Sequence, residues 1–136
     1  MSNWPDDIKC MHYLYKMQDA VDKLDKPQLK AFLQFRINFL QEELDELKKA
    51  AIPNQPLDAE EVVDALIDLC VVAIGTLDLF GIDANKAWGE VLLANMKKEP
   101  GIKEGRPNPL GLPDLKKPEG WEPPSHKGNH GKLHGI

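Results

Sequence analysis

Cysteine is scarce: Cys10 and Cys70 are the only two in 136 residues, far apart and without CxxC spacing. Neither a zinc site nor a disulfide framework follows, and Cys70, inside LCVVAIG, reads as a small buried hydrophobe. Basic excess is missing as well, the formal net charge being −5. An acidic chain lacks the electrostatic footprint for sequence-independent binding to DNA or RNA, so no nucleic-acid partner is expected. Anionic small molecules stay open, because a bound divalent cation inverts the local field. No long hydrophobic run occurs either. The longest apolar stretch, Leu69 to Leu77, falls well short of the roughly 20 residues a membrane helix needs. The opening MSNWPDDIKC has neither the basic nor the apolar region of a secretory signal. No membrane partner is expected, and the expected setting is cytoplasmic.

What is present is a globular balance, 42% hydrophobic and 29% charged, in a length that suits one domain. A chain this short often leaves a helix face to bury against another copy. Up to about residue 98 the pattern is helical. Pro5 and Asp6 open a first helix running to about Lys23, with Ile8, Met11, Leu14, Tyr15 and Val21 as an irregular apolar stripe. Asp25-Lys-Pro27 breaks it, and Pro27 suits the first turn of a second helix reaching about Ala50. Asp58 is the expected N-cap of a third helix, which ends near Phe80-Gly81. Asp83 caps a fourth that carries Trp88, Leu92 and Met96. Four helices over residues 1–98 make an all-α domain. Residues 99–136, dominated by Pro and Gly, cannot hold a helix and form an extended arm or tail, with Leu110, Leu112 and Trp121 favouring some docking. Its histidines, His126, His130 and His134, are given no function.

Chemistry concentrates on the second and third helices. Glu42, Glu43 and Glu46 form an EExxE pattern, with Glu43 and Glu46 on one face. Glu61, Asp64 and Asp68 fall at i, i+3 and i+7, again one face. Short connections favour antiparallel packing, which turns the two sets toward each other. A solvated acidic face balanced by Lys48 and Lys49 would explain the second helix alone. The third is harder to explain so, since VVDALIDLCVVAIGTLDLF is apolar almost all round. Uncompensated carboxylates there would cost several kcal/mol. Hard oxygen ligands without nearby His or Cys point to Mg²⁺, with Mn²⁺ as the alternative. A ferritin-like di-iron bundle needs Glu-x-x-His pairs, and the third residue after Glu43 is Glu46 and after Glu61 is Asp64, neither a histidine.

EExxE followed on the next helix by ExxD resembles the MazG-like all-α nucleoside triphosphate pyrophosphohydrolases, a superfamily that includes dimeric dUTPases and phosphoribosyl-ATP pyrophosphohydrolases. The resemblance spans about residues 8 to 98 and implies a four-helix MazG-like bundle. Asn95-Met96-Lys97-Lys98 is similar to the family's Asn-x-x-Lys element, and DALIDLCVVAIGT to the compact, phage-type members. The implied reaction is Mg²⁺-dependent cleavage of an NTP or dNTP between the α- and β-phosphates, giving monophosphate and pyrophosphate. In that reading Glu43, Glu46, Glu61 and Asp64 hold the metal, with Asp68 as an additional carboxylate. Glu42, Glu43 and Glu46 are the catalytic candidates, Glu42 or Glu46 orienting or deprotonating the attacking water. Lys98, with Lys97 beside it, meets the outer phosphates, and Asn95 bonds sugar or phosphate. Arg36 contacts phosphate or, as the preferred reading, forms a structural ion pair. His12, Tyr15 and Phe32 are the candidates to stack on or hydrogen-bond the base, although aromatics at helical spacing are more often core. Family habit and the small core imply a homodimer or homotetramer. Two alternatives stand beside this: a non-enzymatic acidic helical interaction module, and phosphoribosyl-ATP hydrolysis, ranked below general dNTP hydrolysis.

Overall fold

Helices begin where the sequence supplies caps. The structure, a computed structural model, describes residues 3–136. Helix α1, Trp4–Leu14, is capped by the Asn3 side chain, which accepts from the Asp6 amide at 2.9 Å. Helix α2 is the short Met17–Asp22. Helix α3, Lys26–Ala50, opens with a reciprocal Asp25–Gln28 capping box and with Pro27 in its first turn, where a missing amide costs nothing. Helix α4, Ala59–Leu79, starts on Asp58, whose carboxylate accepts from the Glu61 amide. It stops in a Schellman turn: Gly81 sits at φ +72°, its amide reaching Asp78 O and that of Ile82 reaching Leu77 O. Helix α5 is Ala84–Met96. Asp25, Asp58, Pro27 and Gly81 therefore stand where the sequence places them.

The single first helix expected to Lys23 is instead two. Lys16 adopts a left-handed conformation at φ 55° and breaks it. The break lets Ile8 and His12 be buried from α1 while Val21 enters the core from α2, two directions that one straight helix cannot serve.

The chain divides into two compact units. The first takes in the chain to Ala84 together with His130–Ile136. Here α4 packs on α3 and on α1, around a core of Val21, Leu29, Leu79 and Phe80. The closing segment belongs to this core: Ile136 packs against it, and the Lys132 amide donates to Phe80 O at 2.7 Å. Gly131 lies so close that a Cβ would stand 2.1 Å from Phe80 O. The second unit, Asn85–Asn129, holds most of α5 and a two-stranded antiparallel ladder, β1 (Glu99–Gly101) on β2 (Asp114–Lys116). Its Trp121 donates from Nε1 to Ala94 O at 2.8 Å, whereas Leu110 and Leu112, expected to dock, are exposed. The molecule is mostly helical, with these two three-residue strands among the described residues. No single helix among them is long and apolar enough to cross a membrane.

Helix α4 is not buried all round, as its composition suggests. Val63, Leu66 and Ile67 are exposed along one stripe, because in the single chain α3 and α1 cover only part of its circumference.

Candidate active site

Helix geometry brings four carboxylates together across the α3–α4 pair. Glu43 is buried, and its Oε2 has no hydrogen-bond partner among the described residues. Burial raises its carboxyl above the ordinary value, and the negative charges of Glu46, Asp68 and Asp64 push the same way. Asp68, half-buried, is raised by burial and then by Asp64 and Glu46. Each group thus feels the charge of others from both helices, the arrangement that like charges produce in one site. Glu46 and Asp64 are exposed, and a side-chain hydrogen bond from Glu46 adds to the rise at Glu43. Glu42 and Glu61 are exposed too, but neither is among the charges that move Glu43 or Asp68. The Glu61 amide is engaged in the α4 cap.

Among the described residues no three His, Cys, Asp or Glu side chains already form a metal cage. The oxygens available are nevertheless hard donors, and the orphaned Glu43 Oε2 is an acceptor that burial makes costly to leave empty. A hard divalent cation suits that set.

Farther along α4, ten residues beyond Asp68, lies a buried polar network. Asp78 on α4 accepts from Lys9 at 2.6 Å and pairs with His12 Nδ1 at 2.7 Å. Burial alone would raise Asp78, but the hydrogen bonds and charges of Lys9 and His12 hold it below the ordinary range. Arg36 donates from Nε to Thr76 Oγ1 at 2.9 Å and from Nη2 to Val72 O at 3.0 Å, its guanidinium over the Phe39 ring. Gly75 makes room, since a Cβ there would lie 2.8 Å from Arg36 Nη2 and 3.2 Å from His12 Cε1.

Two expectations change here. His12, a candidate base contact, is 2% exposed and committed to Asp78; a ring enclosed by α1, α3 and α4 cannot stack on a base. Arg36 is neither on the surface nor in any of the ion pairs formed among the described residues. A hydroxyl and a backbone carbonyl satisfy it instead. Tyr15 is exposed, and Phe32 stacks on Phe80 against the core.

The second unit carries the expected phosphate lysines. Helix α5 ends at Met96, so Lys97 and Lys98 lie just past it, with Asn95 in its last turn. The Lys98 ammonium stands 5.3 Å from the Trp121 ring centroid, and that of Lys117 5.0 Å. Lys97 lines an open cavity of about 440 Å³ beside Trp121, Leu93 and Pro123.

Sequence reasoning missed Asp78, Thr76 and Gly75. The signal was available for Asp78: it is a carboxylate in the same apolar helix that singled out Asp64 and Asp68.

No curated protein and no solved structure matches the chain. The family model for phosphoribosyl-ATP pyrophosphohydrolase does, over residues 16–95, more than half of the sequence. That span takes in both carboxylate helices and most of α5, so the chain belongs to the phosphoribosyl-ATP pyrophosphohydrolase family, all-α hydrolases of the MazG-like superfamily that act on phosphoric anhydrides.

Proposed function

We propose that this protein hydrolyses the α–β phosphoanhydride of phosphoribosyl-ATP, releasing pyrophosphate and a monophosphate product. Family membership moves this substrate ahead of general NTP or dNTP hydrolysis, which the sequence motifs alone rank first. The observation that carries the site is the buried, unpartnered Glu43 Oε2 among the charges of Glu46, Asp64 and Asp68. These four residues would hold Mg²⁺, or Mn²⁺ in its place, with Glu61 one turn before Asp64 as a further ligand. When bound, the cation neutralises phosphate oxygens and lowers the pKa of a water for in-line attack.

The chain's own residues do the rest. Glu46 or Glu42, both exposed at the surface of α3, takes the proton of the attacking water. Lys98 and Lys97 act as point charges on the outer phosphates, and Asn95 hydrogen-bonds sugar or phosphate. For Lys98 this means leaving the face of Trp121, an exchange of one weak cation contact for a phosphate.

The exposed stripe Val63, Leu66 and Ile67 on α4 supports assembly as a homodimer or homotetramer. Within the superfamily the phrase DALIDLCVVAIGT groups the chain with the compact, phage-type members, and the protein works in the cytoplasm.

The test is a substrate panel of phosphoribosyl-ATP and the eight common NTPs and dNTPs with Mg²⁺, read by separated products. Pyrophosphate from phosphoribosyl-ATP first is the expected result. Preference for a free NTP or dNTP would return the substrate to the general reading, and release of inorganic phosphate would refute the mechanism.

A further inference from the structure

A buried arginine that meets no carboxylate is an unusual way to join two helices. Arg36 is 5% exposed, and burial lowers the pKa of its guanidinium. Its bonds to Thr76 Oγ1 and Val72 O both cross from α3 to α4. An apolar side chain would fill the same space without the desolvation cost. What distinguishes the bonds is their register. Arg36 precedes Glu43 by seven residues, two turns or about 10 Å along α3. Val72 and Thr76 follow Asp68 by one and two turns on α4. The clamp therefore sits at a fixed offset from the carboxylates on both helices. Slippage by one residue would rotate each carboxylate by about 100° away from its counterpart.

We propose that Arg36 is a positioning residue: by bonding Thr76 and the Val72 carbonyl it fixes the α3–α4 register that aligns Glu43 and Glu46 with Asp64 and Asp68, and it does not touch phosphate. The inference rests on the carboxylate site described under the proposed function. Gly75 belongs to the device, because any side chain there collides with Nη2, the donor to Val72. Arginine suits the role because one planar head serves two acceptors at once, whereas lysine presents a single point.

The experiment is Mn²⁺ binding by the full chain without nucleotide, read from loss of the free-ion electron paramagnetic resonance signal. Wild type, R36M, R36K, T76V, G75A and E43Q are compared at a temperature where circular dichroism shows each folded. R36M is expected to weaken Mn²⁺ about 10–100-fold, the effect of losing a group that orients metal ligands. T76V removes one hydrogen bond and should cost about two- to fivefold. R36K should recover only part of the loss, and G75A, which displaces Nη2 alone, should resemble T76V. In turnover at saturating Mn²⁺, R36M should regain kcat with KM for nucleotide unchanged.

Wild-type Mn²⁺ affinity in R36M overturns the inference, and so does a rise in nucleotide KM with metal affinity intact, which would make Arg36 a phosphate contact. If R36M does not fold, T76V and G75A decide, and unchanged affinity in both refutes the role. Should E43Q bind Mn²⁺ like wild type, the carboxylate reading itself fails and takes this inference with it. Loss in E43Q without loss in R36M sinks this inference alone.

Discussion

At the scale of single residues, Glu43 and Asp78 are carboxylates with opposite consequences for stability. Glu43 is raised, so the folded state holds its proton more tightly than the unfolded chain does. Without a cation, stability attached to Glu43 is present at low pH and falls as pH rises through its elevated range. Asp78 is lowered, so its contribution is present above the unfolded value and is lost as pH falls through the folded one. Glu43→Gln should therefore stabilise the metal-free protein at neutral pH by about 0.5–2 kcal/mol, read as a higher melting temperature. The same variant should lose both stabilisation by Mg²⁺ and turnover. Asp78→Asn should cost about 1–3 kcal/mol at neutral pH by leaving Lys9 and His12 without their anion. Its deficit should shrink in acid, where the wild-type carboxylate is protonated as well. Chemical denaturation of both variants across the acid range checks the two signs.

Elements were more legible than contacts. The caps of α3 and α4 follow from local chemistry, because Asp25, Pro27, Asp58 and Gly81 act within a few residues of themselves. Gly81→Ala should cost about 1 kcal/mol, since alanine resists the left-handed conformation that closes α4, and a drop in melting temperature of several degrees would show it. The break at Lys16 was illegible for the complementary reason: lysine carries no turn signal, and only packing of Ile8, His12 and Val21 requires the bend. In the site, the i, i+3 and i+7 spacing announced which carboxylates share a face. It could not announce that the charge of Asp68, and not that of Glu61, acts on Glu43, because the register comes from long-range bonds such as Arg36 to Thr76. His12 and Arg36 were misplaced because their partners, Asp78 for the one and Thr76 with the Val72 carbonyl for the other, carry no signal in sequence that marks the pairing.

For the whole molecule the telling quantity is apolar surface left uncovered. Val63, Leu66 and Ile67 on α4 are exposed, and Trp88, Leu92, Leu93 and Met96 on α5 are exposed as well. Exposed apolar rows of this kind mark interaction surfaces. Association is expected, and Leu66→Glu with Ile67→Glu should shift the sedimentation coefficient toward that of a single chain. A wild-type protein that sediments as a monomer would refute the assembly.

The closing residues alter how the chain should be parsed. Phe80 and Lys132 are joined backbone to backbone at 2.7 Å, so the points where the polypeptide leaves and re-enters the helical unit are adjacent. Residues 85–129 are therefore an insert, looped out of a unit whose two flanks meet at Gly131. The core residues lie outside that insert, whereas a cut after Asn129 removes Ile136 from the core. Replacing the insert with a short glycine-serine bridge should leave a helical unit that still melts cooperatively. Truncation at Asn129 should lower the melting temperature more than that excision does.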